Sequence, residues 1–303
     1  MAPVESRGPC YIGLPMPTLR SVPALASACA TAACCVAGPL AAQGRIFPDA
    51  PRFELPWASP RTWGFAGRYL HVSTADDRFG PGTEAEVVEG ENFPVYAFRR
   101  GPLPITLGFG AAVVAHYRMD DPKTSQISDD WLVGINGQFT LSPRWTLVGE
   151  ALHESSHLGD EYAQVFAADS ALEHRIDWTR MTLNAWGFYS TGPWRLAAGL
   201  HYAYTDELHL PKGGVSVGAD YKGPMFGFLG QRSQLVGGVF VDGAAETEWR
   251  LGKSARFGIS FPDAGQGWRR LSLSVIGYDG PSTQRQFYTQ QTAYVGMELR
   301  FDL

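Results

Sequence analysis

The sequence is short of several things that would have suggested a chemistry or a compartment. All four cysteines (Cys10, Cys29, Cys34 and Cys35) precede Gln43, so the chain after that point has no disulfide framework, no thiolate metal site and no cysteine nucleophile. It has no basic surplus: the formal net charge is −5, which argues against nucleic acid as a partner. Charged residues of either sign make up only 18%, below the roughly 25% of an average soluble chain. Past Gln43 no uncharged apolar run reaches the roughly 20 residues a membrane-crossing helix needs. No phosphate-binding loop and no Gly-rich dinucleotide fingerprint occurs in a strand–helix setting.

Aromatic residues, by contrast, are plentiful, with 9 Trp, 12 Tyr and 17 Phe in 303 residues. The N-terminus reads as an export signal: Arg20 is the positive start, residues 21–37 the apolar stretch, Gly38 and Pro39 the break, and Leu40-Ala41-Ala42 the small residues before a cut at Gln43. Met16 then serves as an alternative start. Removing Glu5, Arg7 and Arg20 with the leader moves the net charge to −6. Residues 1–42 are thus expected to be the signal. Residues 43–62, rich in proline, are expected to form an arm in the periplasm or a plug, and 63–303 a single β-domain.

That domain is written in segments of about ten residues with period-2 alternation. In Thr292–Phe301, Val295, Met297, Leu299 and Phe301 share one face and Tyr294, Gly296, Glu298 and Arg300 the other. Trp194–Tyr204, Trp268–Tyr278 and Ile176–Tyr189 alternate likewise. Further candidates are Gly64–Ser73, Ile105–Met119, Asp130–Leu141, Trp145–Ser155, Gln234–Asp242 and Arg256–Phe261. Turn signals fall at Ser142-Pro143-Arg144, Thr191-Gly192-Pro193, Asp263-Ala264-Gly265 and Asp279-Gly280-Pro281. A soluble β-protein of the periplasm would bury the apolar face, whereas a membrane barrel turns it to lipid. The barrel is favoured by the leader and by aromatics at strand ends (Trp63, Trp131, Trp145, Trp194, Tyr204, Trp268 and Tyr278), where an interfacial girdle sits. The alternating last strand with its near-terminal Phe301 resembles the C-terminal signal of bacterial outer-membrane barrels. The expectation is an all-β, antiparallel, transmembrane barrel of about twelve strands in the bacterial outer membrane, touching its lipids as a monomer or weak dimer.

Reactive side chains concentrate in His153-Glu154-Ser155-Ser156-His157-Leu158-Gly159-Asp160-Glu161-Tyr162. The parity of Trp145, Leu147, Gly149 and Ala151 carries His153 and Ser155 onto the apolar, lipid-facing side, and Glu150, Glu154 and Ser156 onto the polar one. Two residues apart on a strand, His153 and Ser155 are neighbours at roughly 6–7 Å. A serine needs a nearby base to attack an ester, and an acid to orient that base; Asp160 and Glu161 follow directly. An outward His-x-Ser resembles the outer-membrane phospholipase A and lipid A deacylase families, which implies His153 as base and Ser155 as nucleophile of a lipid ester hydrolase. Ser156 stands where those families usually have Asn. The full string resembles the signature H-x-S-S-H-L-G-D-E-Y of a bacterial family, domain of unknown function twelve-oh-seven. Phe47-Pro48, Trp57-Ala58-Ser59-Pro60-Arg61, Asn92-Phe93-Pro94-Val95-Tyr96 and Gly277-Tyr278-Asp279-Gly280 extend the likeness over most of the chain, which implies an exported barrel.

Two other readings of the cluster stay open. It is either a polar hairpin tip in a non-enzymatic, structural or transport barrel, or a metal site of His157, Asp160 and Glu161 with calcium as the candidate ion. His153 and His157 would be about 13 Å apart on a straight strand, so sharing a metal would need a sharp bend after Ser155.

Overall fold

The computed structural model describes residues 44–75, 80–120, 125–162, 176–262 and 270–302. The proposed leader therefore lies outside the described residues, as do Asp76, Asp77, Asp121, His174, the turn signal at 263–265, Trp268 and Arg269. After a two-residue strand β1 (Arg45–Ile46) come β2 (Phe65–Ala75), β3 (Gly82–Arg100), β4 (Leu103–Arg118), β5 (Ser125–Thr140), β6 (Trp145–Leu158) and β7 (Trp178–Thr191). Then follow β8 (Trp194–Asp206), β9 (Gly213–Phe228), β10 (Gln231–Ala244), β11 (Leu251–Pro262), β12 (Arg270–Pro281) and β13 (Gln291–Asp302). Each of β2 to β13 pairs antiparallel with its sequence neighbour, and β13 returns to β2, with Leu299 opposite Gly67. The result is a closed barrel of twelve antiparallel strands, with β1 appended to β3. Closure leaves no sheet edge for a second chain to extend.

The wall is inside-out by the standards of a soluble protein. Tyr69, Leu200 and Phe257 are more than 60% exposed, while Glu298 and Asp130 are completely buried and Arg68 nearly so. Burying charge while exposing oil is stable only when the outside is hydrocarbon and the inside supplies counter-charges. Trp131 and Tyr204 toward one end, and Trp145 and Trp194 at the other, are exposed as a girdle requires. Trp63 and Tyr278 correct the expected girdle: both are buried on the lumen side, where Tyr278 stacks on Tyr294. At one end of the barrel β3–β4, β5–β6, β7–β8 and β9–β10 are joined by tight turns of two to four residues. At the β9–β10 turn Leu229 and Gly230 both have positive φ, the twist that a two-residue hairpin needs. The other end has longer connections. Asp279-Gly280-Pro281, expected as a turn, ends β12 instead, and residues 282–290 make the connection.

Two strands escaped the sequence pattern, β3 and β9. Along β3 the alternation breaks at Gly90 and at a register shift between Pro94 and Tyr96. Along β9 the partner register jumps near Pro224, which lacks an N–H for the ladder.

Inside, the proline-rich segment 47–64 enters the lumen and turns at Pro56–Ser59, where Ser59 N–H donates to the Pro56 carbonyl at 2.8 Å. Phe53 and Ala58 pack against Val148, Trp186, Phe188 and Phe240. A segment without strand neighbours must bond its backbone to side chains, and the wall provides them. Arg195 donates to the Leu55 carbonyl at 2.9 Å, Arg68 to that of Pro60 at 2.9 Å, and Asp220 accepts from Trp57 N–H at 2.7 Å. Beside this plug a fully buried ionic cluster lines the stretch of wall from β3 to β11: Arg68 bonds Glu86 and, at 2.7 Å, Glu298, which also accepts from Arg256 at 3.0 Å.

Candidate functional site

Strand β6 carries the reactive motif, and its pleat divides the motif between two environments. His153 and Ser155 face outward and are half-buried, as parity requires. In register, His153 stands between Val133 and Met181, and Ser155 between Trp131 and Thr179. His153 Nδ1 lies 3.2 Å from Met181 Sδ. No hydrogen bond joins His153 to Ser155 among the described residues, and no carboxylate touches the imidazole. His157 continues the outer face opposite Asp129, whose carboxylate accepts from Trp131 Nε1 at 2.9 Å. Asp160 and Glu161 are exposed beyond Gly159, away from His153. A side chain at Gly159 would strike the Gln126 carbonyl, so the glycine lets the chain leave the sheet there. Among the described residues no three His, Cys, Asp or Glu side chains converge on one point, so His157, Asp160 and Glu161 do not form the oxygen-rich shell that calcium takes.

Glu154 and Ser156 face the lumen. The Glu154 carboxylate accepts from Arg61 of the plug, from Arg285 at 3.0 Å and from Trp178 Nε1 at 3.2 Å. Arg61 also reaches Asp130 at 2.7 Å, and Gln286 donates to the Ser156 carbonyl at 2.8 Å. Burial works against charge on Arg285, but Glu154, Glu246 and Asp130 outweigh it and raise its pKa above the ordinary arginine value. Tyr162 closes the motif by packing edge-on against Phe287, 5.4 Å between ring centres. The motif thereby pins both the plug and the β12–β13 connection to the wall.

Next to this clamp is a cavity of about 190 Å³. Four lumen side chains from four consecutive strands cross its wall: Glu150 on β6, Asn184 on β7, His201 on β8 and Ser216 on β9. Glu150 pairs with Asn184, and Asn184 with His201, directly across the ladder; Ser216 lies two residues beyond the partner of His201. They form one hydrogen-bonded row. Asn184 Nδ2 donates to Glu150 Oε2 at 2.8 Å, His201 Nδ1 lies 2.9 Å from Asn184 Oδ1, and His201 Nε2 lies 2.7 Å from Ser216 Oγ. Trp186 packs edge-on against the imidazole, 5.1 Å between ring centres. Glu150 Oε1 and Trp186 Nε1 are buried without a hydrogen-bond partner among the described residues. The alternation placed Asn184 and His201 on polar faces. It carried no sign that the four residues meet, because strand stagger sets that.

The chain matches the family described as "Protein of unknown function (DUF1207)" over residues 15–303. It belongs to that family. Its fold is similar to outer membrane phospholipase A from Escherichia coli, at 14% identity and a TM-score of 0.53, covering 84% of this chain and 94% of that one. The Salmonella typhi outer membrane phospholipase dimer with bound calcium is similar at 13% identity and 0.53, with the same coverages. LpxR from Salmonella typhimurium aligns at 9% identity, 79% and 100% coverage and a TM-score of 0.37. At these identities the likeness is one of fold: this member of DUF1207 has the architecture of bacterial outer-membrane barrels. No curated protein matches the chain.

Proposed function

We propose that this protein is a closed outer-membrane barrel that admits a small polar molecule into a chamber at its long-loop end, and is not a diffusion pore. The supporting observation is the lumen itself. Segment 47–64 and the β12–β13 connection occupy it, fastened at Glu154, and beside them lies the 190 Å³ cavity with Glu150 in its lining. Residues 1–42 act as the export signal, and the apolar wall contacts lipid with the barrel as monomer or weak dimer. The purified protein in planar bilayers is expected to show no steady open-channel conductance, and Arg61→Ala, which frees the plug from Asp130 and Glu154, is expected to produce flickering openings. A steady porin-sized conductance of the unaltered protein would overturn this.

A second reading has its own support, since His153 and Ser155 share one outward face beside Trp131 at the lipid boundary. Here Ser155 attacks a lipid ester, His153 takes its proton, and Asp160 or Glu161 swings in to orient the imidazole. Met181 occupies the Nδ1 side of the ring, so that orienting contact has to form on substrate binding. Phospholipid hydrolysis in mixed micelles, abolished by Ser155→Ala, is its test.

A further inference from the structure

We infer that the chamber is a second, luminal reaction centre: a serine hydrolase site for small acyl esters in which Ser216 is the nucleophile, His201 the base, and Asn184 and Glu150 the positioning residues. The inference rests on the chamber reading above. The row has a fixed direction. Asn184 donates its NH₂ to Glu150 and turns its carbonyl oxygen to His201. That oxygen can only accept, so His201 carries its hydrogen on Nδ1 and leaves the Nε2 lone pair facing Ser216. The hydroxyl must then donate to Nε2, the arrangement in which a base activates a serine. Here the sense runs unbroken from carboxylate to hydroxyl over three bonds of 2.7–2.9 Å.

The chemistry balances with water as the only co-reactant. Ser216 Oγ bonds to the ester carbonyl carbon as its proton passes to His201 Nε2. The carbon–oxygen bond to the leaving alcohol breaks, and that oxygen takes the proton from Nε2. Water then attacks the acyl-serine, giving one proton to Nε2, which returns it to Oγ as the acid departs. Size selects the substrate. The cavity of 190 Å³ is near the roughly 150 Å³ that holds a benzene-sized molecule, so it takes an acetyl- or butyryl-sized group and excludes a two-chain lipid. The exposed Lys212 of the β8–β9 connection lines it, so the approach is from the long-loop end.

The test treats the detergent-folded full-length barrel with a small fluorophosphonate and locates the adduct by mass spectrometry, with p-nitrophenyl acetate and palmitate hydrolysis measured in parallel. The expected result is an adduct on Ser216 and faster turnover of the acetate. Both signals are expected to fall at least 100-fold in Ser216→Ala and in His201→Gln, each still running as a heat-modifiable folded band. Glu150→Gln keeps the shape and is expected to slow labelling about tenfold and shift its pH profile, which a purely structural role would not do. An adduct on Ser155, a preference for palmitate, or no adduct and no hydrolysis would overturn the inference. If that happens while bilayers stay closed, only the catalytic assignment fails. An open channel would remove the chamber reading beneath it.

Discussion

The two faces of β6 show how one strand can serve two solvents. Outward, His153 and Ser155 sit in a row of apolar neighbours and touch little: a methionine sulfur on one, Trp131 and Thr179 beside the other. Inward, Glu150 and Glu154 each enter a hydrogen-bonded network reaching residues more than 20 positions away. Lipid offers no hydrogen bonds, so outward polar groups stay few, whereas every inward charge must be met by another. Chemistry that needs several converging polar groups is therefore easier to assemble in the lumen of this barrel than on its wall.

The contrast predicts how substitutions rank. The largest effect is expected from Arg68→Ala, which takes the arginine from Glu86 and leaves Glu298 with Arg256 as its remaining partner in the cluster. The loss is about 3–5 kcal/mol, read as the urea midpoint of refolding into lipid vesicles. If Arg68→Ala folds as stably as the parent, the inner face is not held by ion pairing. On the outer face, Leu200→Arg places a charge on the lipid side of β8 and is expected to cost about 2–4 kcal/mol; a neutral outcome in lipid would place that face in water. Glu154→Gln weakens the clamp on Arg61 and Arg285 by about 1.5–3 kcal/mol. It is also expected to expose residues 282–290 to protease, whereas Ser155→Ala next door stays within about 0.5 kcal/mol. Equal protease sensitivity in the two variants would erase the difference between the faces. The smallest effect belongs to Lys253→Ala, which breaks an exposed pair with Asp279 at 3.4 Å and shifts stability by about 0–1 kcal/mol.

How much was legible follows the same division. Parity assigned the lipid face of β8, β12 and β13 and the split of the motif on β6, because alternation is a local property of the backbone. It failed at β3 and β9, where Gly90, Pro94 and Pro224 interrupt the alternation. The girdle reading, which rested on position at a strand end, misplaced Trp63 and Tyr278, whose rings fit the lumen as well as the membrane boundary. The outward His-x-Ser was visible because its members are two residues apart. The row of Glu150, Asn184, His201 and Ser216 was not, because its members are 15 to 34 positions apart and are joined only by strand register.

Composition and alternation alone specified an all-β chain whose strands each have one apolar face, and the strand-end aromatics and leader pointed that face to lipid, since alternation is written residue by residue. Tertiary structure alone decided that residues 47–64 lie inside, that Glu154 fastens them, and that four polar side chains form one directed row. Those contacts depend on ring closure and on the stagger between strands, which bring together groups far apart in sequence and which no local pattern encodes.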